Sequence, residues 1–242
     1  FILNNIYNFI FLTCLKFYRS IIINQITMSS SIIPFLFINS CPLVEPMHGF
    51  NTTEYLRSTW YIQQQQVTGY QPRETLFCVA QTLNASVRTV PFYDGSVIDV
   101  YNYGRINGVN GTLENPNNFT LCARQLNSSN PAEIINAPCF LPNILAGPYW
   151  VIAAGPSSHN YSWAIVSGGP PTVRYSDGNC STKLTGTNGS GLWLFTREPY
   201  GESAFNSVRL MRNILREIGY TTSLLLNVTQ QGCNYSEAFI KH

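Results

Sequence analysis

Residues 41–242 predict an all-β fold, an eight-stranded up-and-down antiparallel barrel with one α-helix near its C-terminus. Two observations predict it. Short runs rich in valine, isoleucine and aromatic residues alternate with clusters of glycine, proline and asparagine, which is the pattern of strands joined by turns. One amphipathic segment breaks this pattern after the eighth run, so the order of elements favours a closed barrel with a helix packed on its outer wall.

The eight predicted strands are short and evenly spaced, which by itself suits a β-sandwich as well as an up-and-down barrel. A ninth strand is predicted over 220–228, after the helix. The first eight ranges are 60–67, 75–84, 96–106, 117–126, 132–139, 148–154, 160–168 and 191–197.

The predicted helix covers residues 203–217. Ser203 is a plausible N-cap, and Gly219 follows the last turn, where glycine commonly ends a helix. Its apolar side chains recur near the helical period, and its arginines fall mostly on another face. The apolar positions are Phe205, Val208, Leu210, Met211, Ile214 and Leu215.

Charged residues make up 11 % of the chain, less than half of the usual share, and the net charge is only +2. The chain has no basic run, which argues against nucleic acid as a partner. It has three histidines and no C-x-x-C spacing, so no metal site is expected. No cofactor is expected either, apart from a bound lipid or pigment.

Asparagine-linked glycans offer the solubility that the few charges do not supply. Ten N-x-S/T sequons occur, all at or after residue 51, and together they favour a secreted glycoprotein over an asparagine-rich chain with unused sequons. The sequon asparagines are Asn51, Asn84, Asn110, Asn118, Asn127, Asn160, Asn179, Asn188, Asn227 and Asn234.

Six of the seven cysteines follow residue 40, an even number that predicts three disulfides in an oxidising compartment. Six cysteines allow fifteen pairings, and the sequence alone leaves them open. The expected location is extracellular, with an organelle lumen as the alternative.

Residues 1–40 differ in composition from the rest and are interpreted as a targeting or otherwise non-mature segment. Met28 is a candidate start, and residues 31–38 resemble a short hydrophobic region of a signal peptide. A membrane anchor is the alternative, although polar residues interrupt the apolar stretch at 1–23.

Three segments resemble the characteristic segments of the lipocalin family. Trp60 lies where the family's first strand opens, with Ser58 at the usual glycine position, and Tyr161 lies in the turn between two later strands. Arg197 ends the last barrel strand, and the helix follows at the family's usual place. The cysteine pattern further resembles apolipoprotein D-like secreted lipocalins, and the resemblance covers about residues 41–237.

The resemblance implies how the cysteines pair and how the barrel closes. It pairs Cys41 with Cys180 and Cys78 with Cys233, which leaves Cys122 for Cys139. It also implies that Arg197 stacks on Trp60 under the closed end of the barrel, a structural role outside the binding site.

A carrier of a small apolar molecule is the function that the resemblance implies: a fatty acid, a sterol, a retinoid or a carotenoid. Because strand side chains alternate, an inward Arg197 places Phe195 and Trp193 inward, and an inward Trp60 places Ile62 and Gln64 inward. Loops 87–94 and 177–190 are expected at the barrel mouth. The candidate ligand-binding residues are Trp193, Phe195, Tyr101, Tyr103, Phe119, Phe140, Trp150, Trp163 and Gln64.

Two other functions stay open. One is a lipocalin-like scaffold whose barrel is filled by side chains and which docks on a larger complex, with a protein partner or a membrane surface at its periphery. The other is a lipid- or pigment-modifying enzyme. The supply of acid–base groups is thin and the nucleophile pattern G-x-S-x-G is absent from the sequence, so no catalytic residue is expected.

Overall fold

Eight antiparallel strands close into a barrel in the computed structural model, which describes residues 40–242. Strands adjacent in sequence pair in turn, and the last strand returns to pair with the first, which distinguishes this fold from a sandwich. The barrel strands are β1 (Trp60–Gln66), β2 (Phe77–Ser86), β3 (Val97–Ile106), β5 (Thr120–Gln125), β6 (Glu133–Pro138), β7 (Gly147–Ser157), β8 (Asn160–Ser167) and β11 (Leu192–Thr196).

The predicted up-and-down barrel with a C-terminal helix is therefore confirmed, and this is the arrangement of the lipocalin fold. The predicted targeting segment lies outside the described residues, apart from Ser40. Four short strands lie outside the eight: β4 (Thr112–Leu113), β9 (Val173–Arg174), β10 (Cys180–Ser181) and β12 (Leu225–Asn227).

Strand β12 widens the wall of the barrel at one end. Strand β1 pairs with β2 only at Trp60 and Tyr61, and its last three residues pair with β12 instead. Beyond β12, the side chain of Gln230 donates to the backbone oxygens of Ile62 (2.6 Å) and Val79 (2.9 Å). The segment thus satisfies backbone groups of β1 and β2 where these strands separate.

The short helix α1 (Thr52–Tyr55) precedes β1, and the long helix α2 (Glu202–Glu217) follows β11. Helix α2 covers the outer wall of β8 and β11. Its buried side chains Ala204, Met211 and Leu215 face this wall, and Leu194 of β11 is buried in the layer between them. Among residues 40–242, no helix is long and apolar enough to cross a membrane.

Two details of helix α2 differ from the prediction. The helix begins one residue earlier than expected, so Ser203 lies inside its first turn and Gly201 is the N-cap. Phe205 and Leu210 are 62 % and 45 % exposed, because the face that meets the barrel is narrower than the apolar pattern indicated. Gly219 follows the helix with a φ of +83°, as expected of a helix stop.

One end of the barrel is closed by Arg197 and Trp60. The guanidinium carbon of Arg197 lies 3.4 Å from the centre of the Trp60 ring, as the resemblance implies. The guanidinium donates to the backbone oxygens of Glu54 (2.9 Å), Tyr55 (3.1 Å), Tyr161 (3.2 Å) and Ser58. Burial lowers the pKa of Arg197, and these carbonyl groups offset part of the cost of burying the charge.

Three disulfides join Cys41 to Cys180, Cys78 to Cys233, and Cys122 to Cys139. The first two are the pairs that the resemblance implies, and the third is the pair that remained. The second disulfide ties the C-terminal segment, residues 229–242, to the outer face of β2. Hydrogen bonds extend this attachment: Thr82 Oγ1 donates to the oxygen of Phe239 at 2.6 Å, and the amide of Lys241 donates to Thr59 Oγ1 at 2.8 Å.

We predict that Arg197→Ala lowers the free energy of unfolding by about 3 kcal/mol, because it leaves several buried carbonyl groups without a donor. Denaturant unfolding followed by tryptophan fluorescence measures the loss. Arg209→Ala, on the exposed face of α2, is the control and should change stability by less than about 0.5 kcal/mol. Equal stability of the Arg197→Ala variant and the natural chain would refute the structural role.

We also predict that replacing Cys78 and Cys233 by serine releases the C-terminal segment before the barrel unfolds. Few backbone hydrogen bonds hold this segment, whereas continuous ladders hold the barrel strands. Hydrogen exchange read by mass spectrometry should show faster exchange at 233–242 and unchanged exchange in β7 and β8. The Cys122→Ser, Cys139→Ser variant is the control, and simultaneous exchange of tail and barrel would contradict the prediction.

Candidate ligand-binding site

A cavity of about 540 Å³ occupies the barrel interior towards the end opposite Trp60 and Arg197. Its volume lies within the range of small-molecule sites in proteins. Strands β1, β2, β3, β5, β6, β7 and β11 form its wall. The loops after β1, β3, β6 and β8 form its mouth, because successive antiparallel strands place alternate connections at the same end.

Apolar side chains form one part of the cavity wall. Trp193 and Phe195 lie two residues apart on β11 and face the cavity, together with Ile62, Val79 and Leu121 from three other strands. The Trp193 indole Nε1 donates to Gln71 Oε1 at 2.8 Å, which fixes the ring against the loop after β1. This surface can bury the apolar body of a ligand.

A chain of hydrogen bonds crosses the deeper part of the barrel. The Tyr149 hydroxyl donates to Gln81 Oε1 at 2.6 Å and accepts from the Tyr55 hydroxyl at 2.8 Å. Gln81 Nε2 in turn donates to Asn102 Oδ1 at 2.9 Å. Burial raises the pKa of both tyrosine hydroxyls above the usual value, so both stay neutral at physiological pH.

One carboxyl group lies at the mouth. Glu114 follows β4, and its amide donates to the oxygen of Gly104 at 3.0 Å. A Cβ atom at position 104 would overlap Glu114 Oε2, so the glycine leaves the space that this carboxyl occupies. Partial burial raises the pKa of the Glu114 carboxyl.

Asn136 adds an amide to the wall from β6. Its Oδ1 atom is shielded from solvent and has no hydrogen-bond partner among the described residues. A buried acceptor of this kind is costly unless a donor reaches it.

Two of the predicted binding residues, Trp193 and Phe195, line the cavity, and so does Ile62. Tyr101 and Tyr103 of β3 point to the outer wall, contrary to the expectation. The Tyr101 ring packs on Phe239, and the Tyr103 hydroxyl donates to the oxygen of Asn234. Tyr103 is nevertheless a third predicted residue among those that line the cavity.

Gln64 also faces outward, because a β-bulge between Ile62 and Gln64 reverses the alternation of β1. Its side chain donates to Asn227 Oδ1 at 2.6 Å and accepts from Arg212 of helix α2 at 2.8 Å. Trp150 and Trp163 pack in the layer beneath helix α2 rather than in the cavity.

Phe119 and Phe140 lie at the mouth but are 51 % and 71 % exposed and do not line the cavity. Both lie just outside a strand, where strand alternation no longer fixes the direction of a side chain. The predicted mouth loop 177–190 contributes Thr187 to the lining. Loop 87–94 instead lies at the closed end, because it connects the ends of β2 and β3 next to the base.

Most of the polar lining was not predicted from the sequence: Gln71, Gln81, Asn102, Glu114, Asn136 and Tyr149. The sequence does contain a signal for part of this polar lining. Asp99 is a charged residue in β3 and belongs on the outer face, which places Tyr101 and Tyr103 outside and Asn102 inside. Glu114 had no such signal, because it lies in a connection.

Seven of the ten sequon asparagines are exposed, and the other three, Asn51, Asn84 and Asn179, are partly buried. Both polar atoms of the Asn51 side-chain amide form hydrogen bonds. Its Oδ1 accepts from the Glu54 amide at 3.1 Å, and its Nδ2 donates to the oxygen of Ser158 at 2.8 Å. Glycosylation itself stays a prediction at all ten positions.

Comparison with known proteins returns likenesses only among solved structures. Neither a protein-family model nor a curated protein matches the sequence. A structure of apocrustacyanin C2 is 14 % identical, with a TM-score of 0.48 over 77 % of this chain and 84 % of that one. Insecticyanin from the tobacco hornworm Manduca sexta is 14 % identical, with a TM-score of 0.47 over 81 % and 90 %.

The major allergen Per a 4 from cockroaches is 12 % identical, with a TM-score of 0.46 over 81 % of this chain and 97 % of that one. At such identities and scores, these likenesses carry no conclusion about what this chain binds.

We predict that Tyr149→Phe lowers the free energy of unfolding by about 1–3 kcal/mol at pH 8, because the buried Oε1 of Gln81 loses its donor. The difference from the natural chain should shrink above pH 10. The folded-state pKa of Tyr149 is raised, so its stabilisation is complete below the pKa of an unfolded tyrosine and is lost as the pH rises above it. The Tyr149→Phe variant has no hydroxyl to ionise at this position, so its stability lacks this loss at high pH.

Denaturant titrations at pH 8 and pH 10.5 measure both differences. Tyr200→Phe, at an exposed position, is the control and should leave stability unchanged at either pH. A Tyr149→Phe difference that stays constant or grows above pH 10 would contradict the prediction.

Proposed function

We propose that the chain is a secreted, apolipoprotein D-like lipocalin that carries a small apolar molecule inside its barrel. The observation that supports this most directly is the cavity: about 540 Å³ of the barrel interior is not filled by the described side chains. The sequence motifs and the order of the strands support the family. The three disulfides and the ten sequons support secretion.

Burial of apolar surface would supply the binding energy. A ligand that removes about 300 Å² of apolar surface from water gains roughly 7 kcal/mol before the cost of association. The wall formed by Trp193, Phe195, Ile62, Val79 and Leu121 suits such a ligand. The candidate classes are those given by the resemblance: fatty acid, sterol, retinoid and carotenoid. Binding without catalysis is part of the proposal.

The scaffold function is the second candidate, and one observation favours it. The loop 139–146 at the mouth exposes large apolar side chains: Phe140 by 71 %, Ile144 by 85 % and Leu145 by 56 %. Such side chains suit contact with a protein or a membrane surface. The open cavity weighs against the version of this function in which side chains fill the barrel.

The deciding experiment uses protein purified from a eukaryotic secretory host. Its organic-solvent extract is analysed by mass spectrometry and by absorption. We expect a lipid or pigment in stoichiometric amount. An empty extract, together with no quenching of tryptophan fluorescence by retinol or fatty-acid probes, would overturn the carrier function and favour the scaffold.

A cavity-filling variant locates the ligand. Leu121→Trp places a large ring in the cavity and should reduce loading by about tenfold, equivalent to about 1.4 kcal/mol. Leu210→Trp, on the 45 % exposed face of helix α2, is the matched control and should load normally. Equal loading of both variants would place the ligand outside the barrel.

A further inference from the structure

We propose that Glu114 makes the cavity selective for apolar ligands that carry an ammonium head group and unfavourable for the same ligands with a carboxylate. This inference rests on the carrier function proposed above and refines it by ligand class. It ranks fatty acids lowest among the candidates.

The charge of the cavity is the first observation. Among the described lining residues, Glu114 has the only carboxyl group and no lysine, arginine or histidine is present; the other polar groups are amides, hydroxyls and an indole. The four ion pairs found in residues 40–242 use the carboxylates of Glu45, Glu54, Asp99 and Glu237. Glu114 thus faces the cavity without a cation.

The neighbouring arginine points the other way. Arg105 follows Gly104 on β3, and alternation places its side chain on the outer wall. There it pairs with Glu237 and donates to the oxygen of Gly111 at 2.9 Å. The strand therefore separates the two charges, with the guanidinium outside and the Glu114 carboxyl above the inner face of Gly104.

The position of the carboxyl fits a head group rather than a ligand body. Glu114 lies at the mouth, Trp193 contacts the loop after β1 at the same end, and Phe195, two residues nearer to Arg197, supplies apolar surface further in. A ligand whose apolar body packs on these two rings places its polar end towards the mouth. An ammonium group there meets the Glu114 carboxylate, and the two opposite charges attract.

The hydrogen-bonding groups point to the same ligand class. The Glu114 carboxylate offers only acceptor oxygens to the cavity. An ammonium group has three donors and no acceptor, so it can serve unpaired acceptors. An ionised carboxylate has only acceptors, and next to Glu114 it would add a like charge, which is unfavourable.

The test compares three probes with one twelve-carbon chain: dodecylamine, 1-dodecanol and dodecanoate. Calorimetric titration of the whole chain at pH 7.4 gives the three affinities. We expect dodecylamine to bind about tenfold more tightly than dodecanoate, with the alcohol between them. Glu114→Gln should remove this preference and leave the affinity for the alcohol within about twofold.

Two further variants separate the site from general charge effects. Glu74→Gln removes an exposed carboxylate in the loop after β1 that does not line the cavity, so it should keep the preference. Gly104→Ala retains Glu114 but displaces its carboxyl, so it should weaken the preference even if Glu114→Gln fails to fold.

The outcomes distinguish the two proposals. If the alcohol binds, but the amine and the carboxylate bind equally or Glu114→Gln keeps the preference, the head-group selectivity is wrong and the carrier function stands. If none of the three probes binds, both proposals are overturned.

Discussion

The guanidinium of Arg197 is the contact on which the closed end of the barrel depends. It lies against Trp60 and donates to backbone oxygens of α1, of the turn before β1 and of β8. The oxygens of α1 and of the turn before β1 belong to a connection, where no ladder partner is at hand. The side chain of Arg197, at the end of the last barrel strand, therefore supplies hydrogen-bond donors to backbone oxygens of the segment that enters the first strand.

Closure of one end by this contact allows the barrel interior at the other end to stay free of side chains. A second layer of buried side chains between helix α2 and the outer wall, including Met211 and Leu215, stabilises β8 and β11 from outside. At the open end, the segment around Gln230 holds the separated strands β1 and β2 together from within the wall. Side-chain packing is concentrated at the closed end of the barrel and beneath helix α2. The interior at the open end can therefore remain a cavity while the fold still has a hydrophobic core.

Most of the fold could be predicted from the sequence, because strand runs, turn residues and the helical period are local signals. The disulfide pairing needed the resemblance, since fifteen pairings were open. The predicted cavity residues were less accurate. On β11, Trp193 and Phe195 lie two and four positions from Arg197 with no irregularity between them, so alternation placed them correctly.

On β1, the bulge after Ile62 reversed the alternation, and no residue in a run of four glutamines indicates where a bulge lies. On β3, aromatic character was a poor guide, because the C-terminal segment covers the outer wall. Tyr101 and Tyr103 are buried there as completely as a core residue, at 6 % and 3 % exposure. An aromatic ring on a barrel strand can thus be buried on the inner or on the outer face. The charged residue Asp99 on the same strand indicates the face better than the ring itself.

The donor and acceptor roles along the buried hydrogen-bond chain follow from the number of protons that each group carries. Tyr149 has one hydroxyl proton and gives it to Gln81, so it must accept from Tyr55, and Gln81 passes a donor on to Asn102. The Glu114 carboxyl lies apart from this chain, at the mouth, where it presents acceptor oxygens to the cavity. A glycine at position 104 maintains this position of the carboxyl, because any larger residue there would move the carboxyl out of the space above β3.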